Sequence, residues 1–508
     1  MSSFDNVISN DPAEKDLSLI EDQLTESALI KQRSVSGAIA YVFRTFAIQI
    51  VGIVASIALS VLFSAEEFGI YYAVTALIGF FTFFSDVGLA AALVQKKETP
   101  TVKELRTIFT VQLMLAIGIF LTITALTPVW ENLLHLEQAG VWLLYALAGS
   151  FVLSSLRTIP SILLERELLF NKVIIPTLVE NISFYVILVF LAWRGFSLMS
   201  YTYAIMARSL LGVATVYLIK RWPIGLAFDI PSLKKLMSFG VKFQVNDLLA
   251  RIKDDLLIVF LGWWLGAQGL GYVGWAKRWS TFPYQLTVQS VLGITFPTFS
   301  RIQAQKDLLR KAIEKSLYFI TFMAFPMVAG LAAYIYPLLV VLPQFNKWLP
   351  AALSLSLFAI QIGMSAVSTP LTNTLMAIGE VNKNLKIMIM WTVLTWIITP
   401  ASVWLFGYQG VAIAAFVIGL TAVVPAYYVK QAIPQVTFLP HIWLQGLAAS
   451  AILLIGWLGQ AFWQRSILWL LAGIVLAGAA YLVIFFAIGW RRFISEVKSL
   501  GVLKKWLS

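Results

Sequence analysis

The sequence predicts an all-α polytopic membrane protein with about fourteen transmembrane helices, arranged as two six-helix lobes in a parallel pseudo-repeat followed by two C-terminal helices. Three observations predict it. Hydrophobic residues fill 59% of the 508 positions and charged residues only 12%, with a mean hydropathy of +0.84, whereas soluble domains carry about 25% charged residues. Apolar stretches of spanning length recur along the chain, and in lipid such stretches must satisfy their own backbone as helices. Lysine and arginine gather in every second loop.

The apolar stretches fall near 38–62, 70–94, 107–130, 141–164, 173–193, 198–219, 243–265, 269–296, 316–342, 350–377, 387–407, 410–430, 441–460 and 467–489. They divide the chain into a polar, acid-rich tail (1–37) expected to be disordered, an N-lobe (38–219), a linker (220–242), a C-lobe (243–430), a final helix pair (441–489) and a basic amphipathic tail (490–508). The loops provide an independent check. One alternate set carries 27 lysines and arginines, and the other only Arg194, Lys347 and Arg465. By the positive-inside rule both termini are expected on the cytoplasmic side. Within the linker, residues 231–239 read as an interfacial helix started by Pro231 and Ser232, and residues 493–507 as a second interfacial segment.

An internal echo supports the repeat. Phe68-Gly69-Ile70-Tyr71 follows the first span, and Leu270-Gly271-Tyr272-Val273 follows the seventh. Six spans separate the copies, so both halves enter the membrane in the same direction, as in transporters built on an axis along the membrane normal.

Composition excludes several function classes. The net charge of +12 belongs to the loops of a membrane protein and not to a nucleic-acid interface. With no cysteine and only His135 and His441, disulfides, thiol catalysis and a zinc site have no residues to build them. Gly269 to Gly274 fits G-x-G-x-x-G but lies at a short outer turn with no preceding strand, and no Walker or zincin motif occurs. No cofactor, metal or catalytic residue is expected. The outer loops are short, the longest near 131–140, which leaves no outer domain for an enzyme. Trp130, Trp142, Trp193, Trp222 and Trp490, near span ends, read as interface anchors.

Charges within the spans are the candidate functional groups, because each is costly in hydrocarbon unless paired or wetted. Bases outnumber acids by seven (Arg44, Arg157, Arg208, Arg251, Lys253, Lys277, Arg278) to five (Asp86, Glu180, Asp247, Asp254, Asp255). At about 1.5 Å per residue, Arg44 matches Asp86 in depth and Arg157 matches Glu180, so each couple is also a candidate ion pair. Asp247, Arg251 and Asp255 recur on one helix face. The surplus of bases suits a phosphate-bearing ligand, with Arg44, Arg208, Arg251, Lys277 and Arg278 as its expected partners. Asp86, Asp254, Asp255 and Glu180 are candidates for ion coupling or ion pairing. Prolines in mid-span (Pro283, Pro326, Pro370, Pro400) permit bending.

Several of these stretches resemble a known family. Ser64 to Tyr71 (SAEEFGIY), Phe84 to Leu89 (FSDVGL) and Val94 to Lys97 (VQKK) look like the opening of the polysaccharide flippases, including Wzx-type O-antigen and lipopolysaccharide exporters of the multidrug/oligosaccharidyl-lipid/polysaccharide superfamily. Asp255 to Ile258 (DLLI), Leu265 to Tyr272 (LGAQGLGY) and Phe296 to Gln303 (FPTFSRIQ) resemble its seventh and eighth helices. The likeness covers most of residues 35–430. It implies a cationic central cavity lined by the first, second, seventh and eighth helices, on which Arg44, Arg251, Lys277 and Arg278 fall. It also implies alternating access on a polyprenyl-pyrophosphate oligosaccharide, with a cation gradient as driving force.

The expectation is therefore a flippase for cell-surface polysaccharide, with the lipid-linked oligosaccharide, membrane lipids, an H+ or Na+ counter-ion and polysaccharide assembly proteins as partners. Three rivals stand beside it. A drug exporter of the same superfamily would need an acidic cavity for cationic drugs. A membrane polymerase or glycosyltransferase would need larger outer loops. A scaffold would tolerate neutralisation of every buried charge.

Overall fold

A computed structural model describes residues 48–84, 93, 98–167, 169–231, 233 and 248–507. The acid-rich tail, Arg44, Asp86, Asp247 and nearly all of the 231–239 segment lie outside the described residues. Among those described, every regular element is a helix. The N-lobe consists of α1 (Ile48–Leu62), α2 (Ala65–Thr82), α3 (Val102–Ala125), the short α4 (Thr127–Leu134), α5 (Gln138–Arg166), α6 (Phe170–Trp193) and α7 (Met199–Ile219). One helical stretch, Leu248–Ile302, opens the C-lobe and is broken at Gly266 into α8 (248–265) and α9 (267–302). It continues with α10 (Lys306–Val341), a 3₁₀ segment (Pro343–Ala351), α11 (Ala352–Ala377), α12 (Val381–Phe406) and α13 (Gln409–Ala432). The C-terminal pair is α14 (Leu439–Leu458) and α15 (Ile467–Leu507). Eleven helices among the described residues are long and apolar enough to cross a membrane, with Leu248–Ile302 counted once.

Local sequence explains the boundaries. Ser64 and Thr101 each form a capping box, with Glu67 and Glu104 returning the hydrogen bond at 2.7 and 2.9 Å. The predicted outer loop 131–140 is mostly helical, because Pro128 starts α4 directly after α3 and His135 ends it in the left-handed region (φ 50°). Gly266 (φ 67°, ψ 175°) occupies a conformation open essentially only to glycine. The chain reverses there, and a Cβ on Gly262 would sit 3.4 Å from Leu270.

The repeat glycines form the contact between the lobes. A Cβ on Gly69 would collide with the carbonyl of Ala267, and one on Gly271 with the carbonyl of Ala65. Each glycine therefore meets the residue four places before the other. This reciprocity is the mark of a two-fold relation between α2 and α9. Around it lies the main apolar core, which draws Phe63, Phe68 and Tyr201 from one lobe and Leu261, Trp275, Trp348 and Leu355 from the other.

The C-terminal pair packs on α10 through Tyr318, Phe322, Phe485 and Phe493. Glu314 on α10 anchors the connection to α14 by accepting the Thr437 backbone N–H at 3.0 Å and the Thr437 hydroxyl at 3.1 Å. Residues 490–507 continue α15 without a break. Large apolar side chains such as Leu218, Trp404, Trp457 and Leu468 stand on the outside, as lipid-facing residues must. Of the five tryptophans near span ends, Trp142, Trp193 and Trp490 are exposed, whereas Trp222 is buried edge-on against Phe109.

Candidate functional site

Two chambers meet in the middle of the bundle. One, of about 460 Å³, lies between the lobes, with Gln49, Tyr71, Tyr72, Thr75 and Tyr185 on the N-lobe wall and Lys277, Arg278, Thr281 and Gln285 of α9 opposite. The other, of about 610 Å³, lies within the C-lobe among Lys253, Asp254 and Asp255 of α8 and the polar side chains Gln361, Ser365, Thr369, Thr395 and Thr399. Tyr72, Lys277 and Thr281 line both. A further hollow of about 510 Å³ between α10, α11, α13 and α14 is almost wholly apolar and presents no group for a charged ligand.

Two irregular turns set the charges. Ile252–Leu256 is a π turn at the base of α8, and it carries Lys253, Asp254 and Asp255. The Ile252 carbonyl accepts the Trp396 indole N–H at 3.1 Å, so the distorted ladder has a partner outside the helix. A second π turn, Gln285–Gln289, follows Pro283 on α9, and the Pro283 carbonyl accepts the Thr287 hydroxyl at 2.7 Å. Of the mid-span prolines, this one adjoins both a helix irregularity and the chamber.

The ion pairs sort the sequence-predicted residues into two groups. Arg157 and Glu180 are locked together, with Glu180 almost fully buried. Arg251 pairs with Asp255 at 2.9 Å and Lys253 with Asp254 at 2.8 Å. Arg251 is not among the chamber-lining residues. Arg208, Lys277 and Arg278, by contrast, have no ion-pair partner among the described residues. The Arg208 guanidinium stacks 5.5 Å from the centre of the Phe184 ring, which lines the inter-lobe chamber. Lys277 lines both chambers together with Tyr72, and Asp254 and Asp255 line the second with it. Among the described residues Arg278 donates to neutral oxygens, Ser56 Oγ at 2.9 Å and Tyr185 Oη at 3.1 Å. Its side chain is exposed at the chamber wall.

Sequence reasoning missed the hydroxyls and rings around these bases. Tyr71 stacks on Tyr201 at 3.9 Å, and Tyr71, Tyr72, Tyr185 and Tyr201 all border the inter-lobe chamber. Only Tyr185 carried a signal, its place in mid-span; Tyr71, Tyr72 and Tyr201 fall within the first four residues of predicted spans, where tyrosine reads as a headgroup anchor.

The end of the bundle away from the basic loops is closed by the C-lobe gripping α1. Lys347 Nζ donates to the carbonyls of Val61 and Phe63, both at 2.7 Å, at the C-terminus of that helix. Trp348 donates to the Ser60 carbonyl at 2.7 Å and stacks face to face on Trp275 at 4.8 Å. Replacing Lys347 by Met is expected to weaken this closure by about 1–2 kcal/mol. The measurement is the rate at which an impermeant thiol reagent labels a cysteine placed at buried Ser60, which should rise about five- to thirty-fold.

One family model matches more than half of the chain. The profile of a family described as "Polysaccharide biosynthesis protein" matches residues 58–353. The teichuronic acid biosynthesis protein TuaB of Bacillus subtilis (strain 168) is 24% identical over 299 residues, 58% of this chain and 61% of that protein. The chain thus spans about three fifths of that relative's length. The lipopolysaccharide biosynthesis protein WzxC of Escherichia coli (strain K12) is 23% identical over 407 residues, 79% of this chain and 81% of that one. Among solved structures, the lipid II flippase MurJ in an inward closed conformation superposes with a TM-score of 0.73 at 15% identity, covering 90% of this chain and 100% of its own. At that identity the likeness shows the fold.

Proposed function

The chain belongs to the polysaccharide biosynthesis protein family, and from that premise we propose that it is a flippase for a polyprenyl-pyrophosphate-linked oligosaccharide in the bacterial cytoplasmic membrane. One observation carries the reading. Lys277 and Arg278 face a wet chamber between the lobes without a carboxylate partner among the described residues. A base within a membrane span is costly unless it is wetted or paired, and a visiting anion would pair it. The pyrophosphate carries about two negative charges near neutral pH and takes multidentate partners. Arg278 offers the guanidinium fork, Lys277 the compact ammonium, and Arg208 adds positive potential from the far wall.

The tyrosines are suited to the sugar next to the pyrophosphate, with a ring face against its apolar side and hydroxyls for its polar rim. At about 460 Å³ the chamber is within the on-the-order-of 300–1,000 Å³ range of small-ligand sites, enough for the pyrophosphate and the first sugar. The rest of the cargo needs the opening between the lobes.

Asp254 and Asp255 are the coupling residues in this reading. They share a wall with Lys277 and face the hydroxyls of Thr369, Thr395 and Thr399. A cation or proton arriving there removes negative charge from beside Lys277. Cation and anionic cargo therefore favour each other's binding, by reciprocal linkage. Polysaccharide assembly proteins on either side of the membrane would supply and consume the cargo.

The test is reconstitution. Vesicles containing the chain and a lipid-linked oligosaccharide in the inner leaflet should show time-dependent exposure of the sugar to an impermeant oxidant, at a rate set by protein content. Efflux of a cationic dye with no movement of the saccharide would instead identify a drug exporter.

A further inference from the structure

After α7 the described chain leaves the helix and turns tightly at Pro223, where the Ile224 N–H donates to the Trp222 carbonyl at 2.9 Å. From there to residue 230 its side chains alternate in exposure. Residues 220–229 have no regular secondary structure. Ile224, Leu226, Phe228 and Ile230 are 57%, 71%, 58% and 64% exposed, while Gly225, Ala227 and Asp229 between them face α3. The inner edge is fastened at successive points. Arg106 Nε donates to the Pro223 carbonyl at 3.2 Å, the Ala227 N–H donates to Thr110 Oγ1 at 3.1 Å, and Asp229 pairs with Lys103 at 2.8 Å. Gly225 is where the strap passes closest to α3, for a Cβ there would lie 2.6 Å from Arg106 Nε. This is an extended strap held on one edge that presents four large apolar side chains on the other.

We propose that residues 223–230 form an interfacial anchor whose apolar edge enters the leaflet on the basic-loop side, at the boundary of headgroups and acyl chains. Three features select lipid as the occupant. The strap lies along the same helix whose next turns expose Met114, Ile117 and Leu121, so its apolar edge continues a lipid-facing flank. Arg221 precedes it, and Lys234 and Lys235 follow in the sequence, basic residues of a kind that suits anionic headgroups. Depth is limited from the other side by the backbone. An extended segment exposes peptide groups along its free edge, which hydrocarbon cannot satisfy and which water and phosphate can. The strap thereby fixes the N-lobe end of the linker at one depth, so that movement between the lobes begins beyond residue 230.

The chain has no native cysteine, so single cysteines can be placed at 224, 226, 227, 228 and 230, sparing Gly225 and the paired Asp229, in the full-length protein and spin-labelled in nanodiscs containing phosphatidylglycerol. The ratio of oxygen to nickel-chelate accessibility should rise at 224, 226, 228 and 230 and fall at 227, a period-two shift that flattens in detergent-free mixtures lacking anionic lipid. Uniformly high chelate accessibility would place the strap in water and overturn the proposal. Protection from both reagents at the four outer positions would also overturn it, since a protein strand and not lipid would then cover the edge. All four positions are exposed, so the labels leave the core untouched.

Discussion

Replacing Arg278 by Gln lowers export by about 10- to 100-fold while leaving the protein folded and no less stable. The size follows from losing charge-assisted contacts to a phosphate, about 1.5–3 kcal/mol. The retained stability follows from the partners. Among the described residues Arg278 bonds only Ser56 and Tyr185, so its removal strands no carboxylate there, and it takes one uncompensated charge out of the bundle. The contrast is Arg157→Gln. That change leaves Glu180 buried and unpaired, which costs about 3–5 kcal/mol. Export assays and thermal unfolding of both variants separate the cases: Arg278→Gln should lose transport and keep its Tm, and Arg157→Gln should lose Tm. An Arg278→Gln protein that exports normally would remove Arg278 from the site.

Gly271→Val should abolish the closed contact between the lobes. The new side chain meets the Ala65 carbonyl, a backbone atom that cannot rotate away, so the cost lies at or above the usual 1–3 kcal/mol of overpacking. Because Gly69 meets Ala267 in the same way, Gly69→Val should have a matching effect. A cysteine at Ser60, buried under Trp275, Trp279 and Trp348, reports the outcome through its accessibility to an impermeant reagent. Both variants should expose it. Gly118→Ala, which meets no neighbour within 4 Å, should leave it protected.

Much of the fold was legible because lipid imposes a simple rule: a spanning segment must be apolar, helical and about twenty residues long. Over the described residues the predicted spans from 141–164 onward each overlap a helix, and the echo at Gly69 and Gly271 marks the contact between the lobes. The outer loop at 131–140 was misread because Pro128 reads equally as a break and as a helix start.

The site was legible in part, for a physical reason. Depth can be counted along a helix, which is how Arg157 was matched with Glu180. Azimuth cannot be counted on helices that are apolar all round, since no polar face marks the direction of the cavity. Arg251 and Arg278 therefore looked alike in the sequence, although one is paired with Asp255 and the other faces the chamber. The Lys253–Asp254 pair sits on a π turn, a departure from the α-helical spacing that sequence periodicity does not reveal. The tyrosines Tyr71, Tyr185 and Tyr201 passed unnoticed because a tyrosine in an apolar run reads first as packing.

The central claim is that bases in the inter-lobe chamber await a phosphate-bearing lipid. Titrating the purified protein in nanodiscs with polyprenyl pyrophosphate and with the parent polyprenol measures this directly. The pyrophosphate should bind at least about tenfold more tightly, and the difference should vanish in the Lys277→Gln, Arg278→Gln double variant. Equal affinity for the two lipids, or a preference that survives the double replacement, would contradict the account.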